Sequence, residues 1–256
     1  MERMSPFIMM DYNSKFYFPP SEKPRGVGVH PHRGFETVTI AYKGKIAHED
    51  STGNRGVIEE GGVQWMTAAS GILHKEFHEE GFSRSGGEFQ MVQLWVNLPA
   101  KDKMSAPKYQ AIAHHEISKY YLPDQGGKVE IIAGQHRGIS GAASTFTAVH
   151  LLNVFLNADK SEQFSFPETF TTAVLVLEGA VVINDTAELK ADQFALFKKE
   201  GTDFVLRAST DAVVLVLSGA PILEPIAAHG PFVMNTRAEI MQAFEDYNEG
   251  KFGYLE

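Results

Sequence analysis

An all-β protein that repeats one barrel or sandwich plan twice is what the sequence predicts, and three observations carry the prediction. Short segments rich in Val, Ile, Thr, Phe and Tyr recur between glycine-containing turns. Two of the resulting hairpins can be laid over each other at a constant spacing, and a single helical pattern is confined to the last residues. Strands are expected at 36–42, 45–48, 63–67, 89–97, 128–133, 146–157, 171–177, 180–184, 194–198, 204–208 and 212–217. Lys43-Gly44 and Glu178-Gly179 each separate two such runs and supply a glycine for a positive-φ position, so both read as hairpin tips.

The repeat lies in those hairpins. TVTIAYKGKIAHED (37–50) covers TAVLVLEGAVVIND (172–185) at an offset of 135 residues, so that Thr37, Gly44 and Asp50 meet Thr172, Gly179 and Asp185. Another apolar strand follows each copy after a short variable stretch, which gives a two-copy β architecture. The intervening stretch 98–135, with three prolines and the polar run AIAHHEISKYYLPDQGGK, reads as an interdomain connection with some strand content. Domains are therefore expected at 1–125 and 126–256. At the end of the chain Thr236 and Glu239 form a capping-box pattern. Ile240, Ala243, Phe244 and Tyr247 then recur at helical spacing before Gly250, so one closing helix is expected, packed outside the second domain.

Composition removes several function classes. The 256 residues are 43% hydrophobic and 21% charged, too apolar to remain disordered. A net charge of −9 supplies no global field for nucleic acid. Cysteine is absent, so disulfides, thiolate metal sites and cysteine nucleophiles are excluded, and any metal chemistry falls to His, Asp and Glu. The amino terminus carries no secretion signal, and the apolar runs fall short of the ~20 residues of a membrane helix. A cytoplasmic protein is expected. No phosphate-cradling glycine motif or nucleophile elbow occurs.

The placement of the ten histidines is informative. His30-Pro31-His32 is an H-x-H pair, and on an extended segment residues i and i+2 point to one face. His74-Lys75-Glu76 is an H-x-E pair with the same alternation. On adjacent strands of a barrel the two pairs converge on three imidazoles and one carboxylate, a ligand set for a divalent first-row ion with positions left open. Glu36 has the same parity, so spacing alone leaves Glu36 and Glu76 as alternatives for the carboxylate. At the 135-residue offset His30 and His32 fall on Ser165 and Pro167, and no histidine occurs from 151 to 228, so the second copy cannot form this site. Gln93, on one face of MVQLWVN (91–97), is a candidate for lining the metal cavity. The remaining histidines are weighed as ordinary residues: His48 as a partly exposed strand end, His78 in a solvated charged loop, His114 and His115 at the surface, and His136, His150 and His229 as isolated.

The segments HPHRGFETV, AHED, QWMTAASGILHKE, QLWVNLP and HGPFVMNT together resemble the pirin family over nearly the whole chain. The resemblance implies a bicupin, two antiparallel β-barrels in tandem with a metal site in the first. It implies His30, His32, His74 and Glu76 as ligands, with Glu36 excluded, and one divalent ion, Fe²⁺ before Mn²⁺, Ni²⁺, Co²⁺, Cu²⁺ or Zn²⁺. It further implies a quercetin 2,3-dioxygenase-like activity, in which a flavonol ring is opened with dioxygen and carbon monoxide is released, with Glu76 as general base. The partners expected are then a small aromatic substrate and dioxygen, with no nucleic acid or membrane, and the chain acting as a monomer. The alternative is an iron-dependent, redox-sensitive regulatory protein that docks a protein partner. By the same resemblance, a few amino-terminal residues that pack against the first strand are expected to be missing.

Overall fold

The computed structural model describes residues 2–256. The first unit opens with β1 (Phe7–Phe18), β2 (Gly26–His32), β3 (Phe35–Lys43), β4 (Ile46–Asp50), β5 (Arg55–Ile58), β6 (Val63–Thr67) and β7 (Ile72–His78). The short helix α1 (Glu80–Ser85), β8 (Gly87–Asn97) and β9 (Lys108–Ile112) follow. These strands form two antiparallel sheets of order β1-β8-β3-β6-β9 and β2-β7-β4-β5. The expected tip at Gly44 has φ +80°.

The second unit contains β10 (Ser118–Tyr121), β11 (Gly127–Ala133), β12 (Gln135–His136), β13 (Ile139–Ser140), β14 (Val149–Leu156) and β15 (Ser161–Ser165). It continues with β16 (Thr171–Glu178), β17 (Ala180–Ile183), β18 (Ala187–Lys190), β19 (Phe194–Leu196), β20 (Asp203–Ala208) and β21 (Ala212–Gly219). Its main sheets run β10-β11-β14-β21-β16-β19 and β15-β20-β17-β18. The repeat is thus topological as well as sequential: β14-β21-β16-β19 restates β1-β8-β3-β6, and β15-β20-β17-β18 restates β2-β7-β4-β5. Strands β14, β16 and β21 bury Val154, Val174, Val176, Val214 and Val216 against Phe164 and Phe204 of β15 and β20. Gly179 has φ +75°, and a Cβ there would lie 2.0 Å from the Asp211 carbonyl, so this tip admits only glycine.

The chain then returns. Strands β22 (Ala227–His229) and β23 (Phe232–Met234) and helix α2 (Arg237–Asn248) group by contacts with the first unit, which comprises the chain up to His114 together with Ile222–Glu256; the second unit is His115–Pro221. The sequence placed the division at 125/126 and the helix in the second domain. The difference arises because the buttressing contacts of the last segment are made to residues some two hundred positions earlier. The polar connection likewise divides, β9 pairing with β6 and β10 with β11. Helix α2 begins as expected, with the Thr236–Glu239 capping box formed and Ile240 and Ala243 buried.

Two buried cations fasten this segment to β2. Arg33, 4% exposed, donates from Nη1 to Asp246 Oδ2 (2.7 Å) and from Nε to the Ser70 carbonyl (2.7 Å), with its guanidinium 4.6 Å from the Phe252 ring centre. Lys103, 1% exposed, donates from Nζ to the Gly34 carbonyl (2.7 Å), Asn97 Oδ1 (2.6 Å) and the Val233 carbonyl (3.0 Å). Burial pulls its pKa down to about 8. Among the described residues no helix is long and apolar enough to cross a membrane.

Asp246→Ala removes the carboxylate from a buried guanidinium and is expected to destabilise the first unit by about 3–5 kcal/mol, read as a lower denaturant midpoint. Lys251 and Arg33 hold the Asp246 carboxyl well below the usual range, so its contribution is present above the ordinary Asp pKa and lost as pH falls through the acid range. The gap between wild type and variant should therefore narrow on acidification.

Candidate metal centre

Strand β2 pairs with β7 so that His30 lies opposite His74 and His32 opposite Ile72. A register shift between Val27 and His30 inserts one extra residue into β2, a β-bulge. Within it the Gly28 carbonyl contacts His30 Nδ1 at 2.7 Å; with Nδ1 as the donor, Nε2 keeps its lone pair. Cross-strand pairing and i, i+2 alternation then gather the three rings. His30 and His74 have centroids 4.2 Å apart, His32 and His74 4.7 Å, and His30 and His32 4.8 Å. One nitrogen from each lies within 4.8 Å of the others, the one such histidine and carboxylate group among the described residues.

The cluster is backed by an aromatic wall. Phe35 and Trp95 stack at 4.2 Å, and the His32 ring stands edge-on to both, at 5.1 and 5.3 Å. Burial, with His30 nearby, pulls the His32 pKa down to about 3, the Pro231 carbonyl acting weakly the other way. Burial and the charges of His32 and His30 likewise hold His74 well below the ordinary value. Both imidazoles are neutral at neutral pH, and apart from the Pro231 carbonyl beside His32 their four buried nitrogens meet no partner in hydrogen-bond geometry. Such orphaned donors and acceptors are costly unless something takes them. A divalent first-row ion fits them, since it uses one nitrogen lone pair from each ring.

Glu76 stands beside this cluster rather than within its 4.8 Å grouping. Its Oε1 accepts from Thr39 Oγ1 (3.2 Å) and its Oε2 from Gln93 Nε2 (2.7 Å), while Gln93 also reaches Thr39 Oγ1 at 3.1 Å. Burial raises the Glu76 pKa, opposed by Gln93, His30 and Thr39. Glu76 walls a cavity of about 260 Å³ that Thr39, Met91, His78, Asp11 and Arg25 also line. Gln93 therefore reaches this cavity through Glu76. Thr39 was not foreseen, although it is the cross-strand partner of Gln93 in the β3–β8 pairing.

Glu36 is not part of the cluster. Its Oε1 accepts from Thr67 Oγ1 at 2.7 Å, and burial pushes its pKa up to about 7. Two histidines depart from expectation. His48 is 7% exposed, with the Tyr109 hydroxyl in hydrogen-bond reach of its ring, and burial pulls its pKa down to about 4. His78, also 7% exposed, ends β7 against Phe18 and Phe89, and it is Glu79 that turns to solvent-side work, accepting from the amides of Gly81 and Phe82 as the cap of α1. Both are buried by aromatics from distant strands. His114 and His115 are exposed as expected.

Two tandem cupin barrels, the first holding a cluster of three imidazoles, define a bicupin with one candidate metal centre. Residues 1–96 match the pirin family model and residues 151–253 the model of the pirin C-terminal cupin domain. A Pseudomonas aeruginosa protein provisionally named a quercetin 2,3-dioxygenase is 47% identical, covering 98% of this chain and 87% of its own. A quercetin 2,3-dioxygenase structure from Acinetobacter baumannii shares 49% identity with a TM-score of 0.95, covering 100% of this chain and 88% of that one. A bacterial pirin from Escherichia coli in complex with nickel(II), at 20% identity and TM-score 0.66, shares the fold over 86% of this chain and 84% of its own. The chain belongs to the pirin family.

His32→Ala and His74→Ala should each lose retained metal on extensive dialysis, while Glu36→Gln should keep it; metal analysis of the dialysed protein checks both. The metal-free protein should hold full stability above the unfolded histidine pKa of ~6.5 and lose it as pH falls toward 3, because the unfolded chain binds protons that the folded His32 refuses. Denaturant midpoints across that range, flattened in His32→Phe, test this.

Proposed function

We propose that the chain is a metal-dependent dioxygenase that opens the ring of a flavonol such as quercetin, or of a related enolic aromatic. His30, His32, His74 and Glu76 are its ligands and Fe²⁺ its ion. The observation that carries this reading is the three-histidine cluster set beside a carboxylate that walls an aromatic-sized cavity. The likeness at 49% identity to a quercetin 2,3-dioxygenase supports the reaction class. Nickel, seen in the E. coli pirin, is the first alternative ion, followed by Mn²⁺, Co²⁺, Cu²⁺ and Zn²⁺.

A divalent ion held by His30, His32, His74 and Glu76 would supply Lewis acidity toward an enolate oxygen and dioxygen. The protein's own residues do the rest. Glu76, ligating through one oxygen, takes the proton of the substrate hydroxyl with the other. Gln93 and Thr39 hold that carboxylate in a fixed orientation. Phe18, Phe89, Ile46 and Met91 exclude water around flat aromatic rings, and Asp11, Asn13 and Arg25 present polar groups to ring hydroxyls.

Protein loaded anaerobically with Fe²⁺ should consume quercetin absorbance and dioxygen together on exposure to air. Glu76→Gln should lower kcat by roughly 10²–10⁴-fold, the usual worth of a general base. Wild type and His74→Ala that are equally inert toward quercetin under every candidate ion would overturn the proposal.

A further inference from the structure

The second unit carries a cavity against β15, the strand that matches β2 of the first unit in sheet order. At the repeat offset Ser165 stands where the first unit has His30, and its cross-strand partner is Asp203 where His30 has His74. Ser165 and Pro167, at the two histidine positions of the sequence repeat, line a cavity of about 500 Å³ on the exposed side of β15. Among the described residues it carries no metal-type group.

Polar side chains converge on this hollow instead. His136 is 8% exposed and lines the cavity, with its Nε2 3.3 Å from Glu162 Oε1. Arg137 follows at the tip of the β12–β13 hairpin, where it has φ +49° and Gly138 φ +79°. Consecutive left-handed residues at a two-residue tip favour Asn-Gly or Gly-Gly, so an arginine here holds a strained backbone in place. Glu162 fixes the guanidinium by accepting from Nε (2.9 Å) and Nη2 (2.7 Å), which leaves the Nη1 amino group outside that contact on a half-exposed side chain. Opposite charge is therefore already neutralised on one edge, and the other edge has the planar fork that suits a carboxylate. Beside it, the His150 ring lies 5.0 Å from Phe166 and 6.2 Å from Phe170, an aromatic wall.

We propose that this cavity of the second unit binds a small aromatic carboxylate, with Arg137 and His136 on the carboxylate and His150, Phe166 and Phe170 against the ring. Gln163 and Ser165 alternate along β15 on its exposed face and meet ring hydroxyls. The assignment is independent of the dioxygenase reading.

Calorimetric titration of the full chain with 4-hydroxybenzoate tests it, with acetate and inorganic phosphate as controls. Saturable binding at about one site per chain is expected, unmatched by either control. Arg137→Gly, which suits the left-handed backbone, and Phe170→Ala should each weaken it by ~10-fold or more, while His74→Ala leaves it unchanged. Absence of saturable binding would overturn the proposal. So would wild-type affinity in both Arg137→Gly and Phe170→Ala, loss of binding in His74→Ala, or equal binding of acetate or phosphate.

Discussion

The register between β2 and β7 is the constraint on which the first barrel's chemistry depends. Side chains alternate along a strand, so a slip of one residue would turn His30 and His32 from the face that His74 and Glu76 share. Nothing in the two ligand pairs themselves fixes that register. It is fixed at the strand ends, where Arg33 directly follows His32 and Ser51 ties the backbone next to His74: the Leu73 amide donates to Ser51 Oγ, and Ser51 donates to the Phe252 carbonyl. The segment that carries Phe252 and Asp246 thus acts as a brace on both ligand strands.

The same burial that disfavours charge on the imidazoles prepares them as ligands. A histidine with an ordinary pKa would spend part of its time protonated near neutral pH and would have to release a proton before binding. His32 and His74 have already given theirs up. Leaving their nitrogens unpaired is a destabilising choice for an apolar core. The second barrel, built on the same strand order, avoids it with serine, proline and aspartate at the corresponding places.

Much of this was legible in the chain. Period-2 alternation pointed to His30, His32 and His74, which the fold gathers, and to Glu76, which stands beside them; glycines marked Gly44 and Gly179 as tips, and the constant offset anticipated two sheets of matching order. The capping box placed the start of α2. What escaped was governed by distance. Arg33 and Asp246 are separated by 213 positions, so the return of the last segment to the first barrel left no local pattern. His48 read as a partly exposed strand end and His78 as part of a charged loop because the tyrosine and phenylalanines that bury them arrive from other strands. Strand β1 was missed because its outer half, NSKFYF, places polar and aromatic residues on a half-exposed edge without clean alternation.

The returning segment also sets an order on biosynthesis. Residues 222–256 leave the ribosome only after the whole sequence of the second unit, so the first barrel emerges without its brace and completes its fold last in one respect. The usual expectation that an amino-terminal domain matures while the rest is still being made does not apply to this metal centre. A nascent chain interrupted anywhere in the second barrel would hold His30, His32 and His74 and still lack the segment that braces their strands, which ties alignment of the cluster to synthesis of residues 222–256.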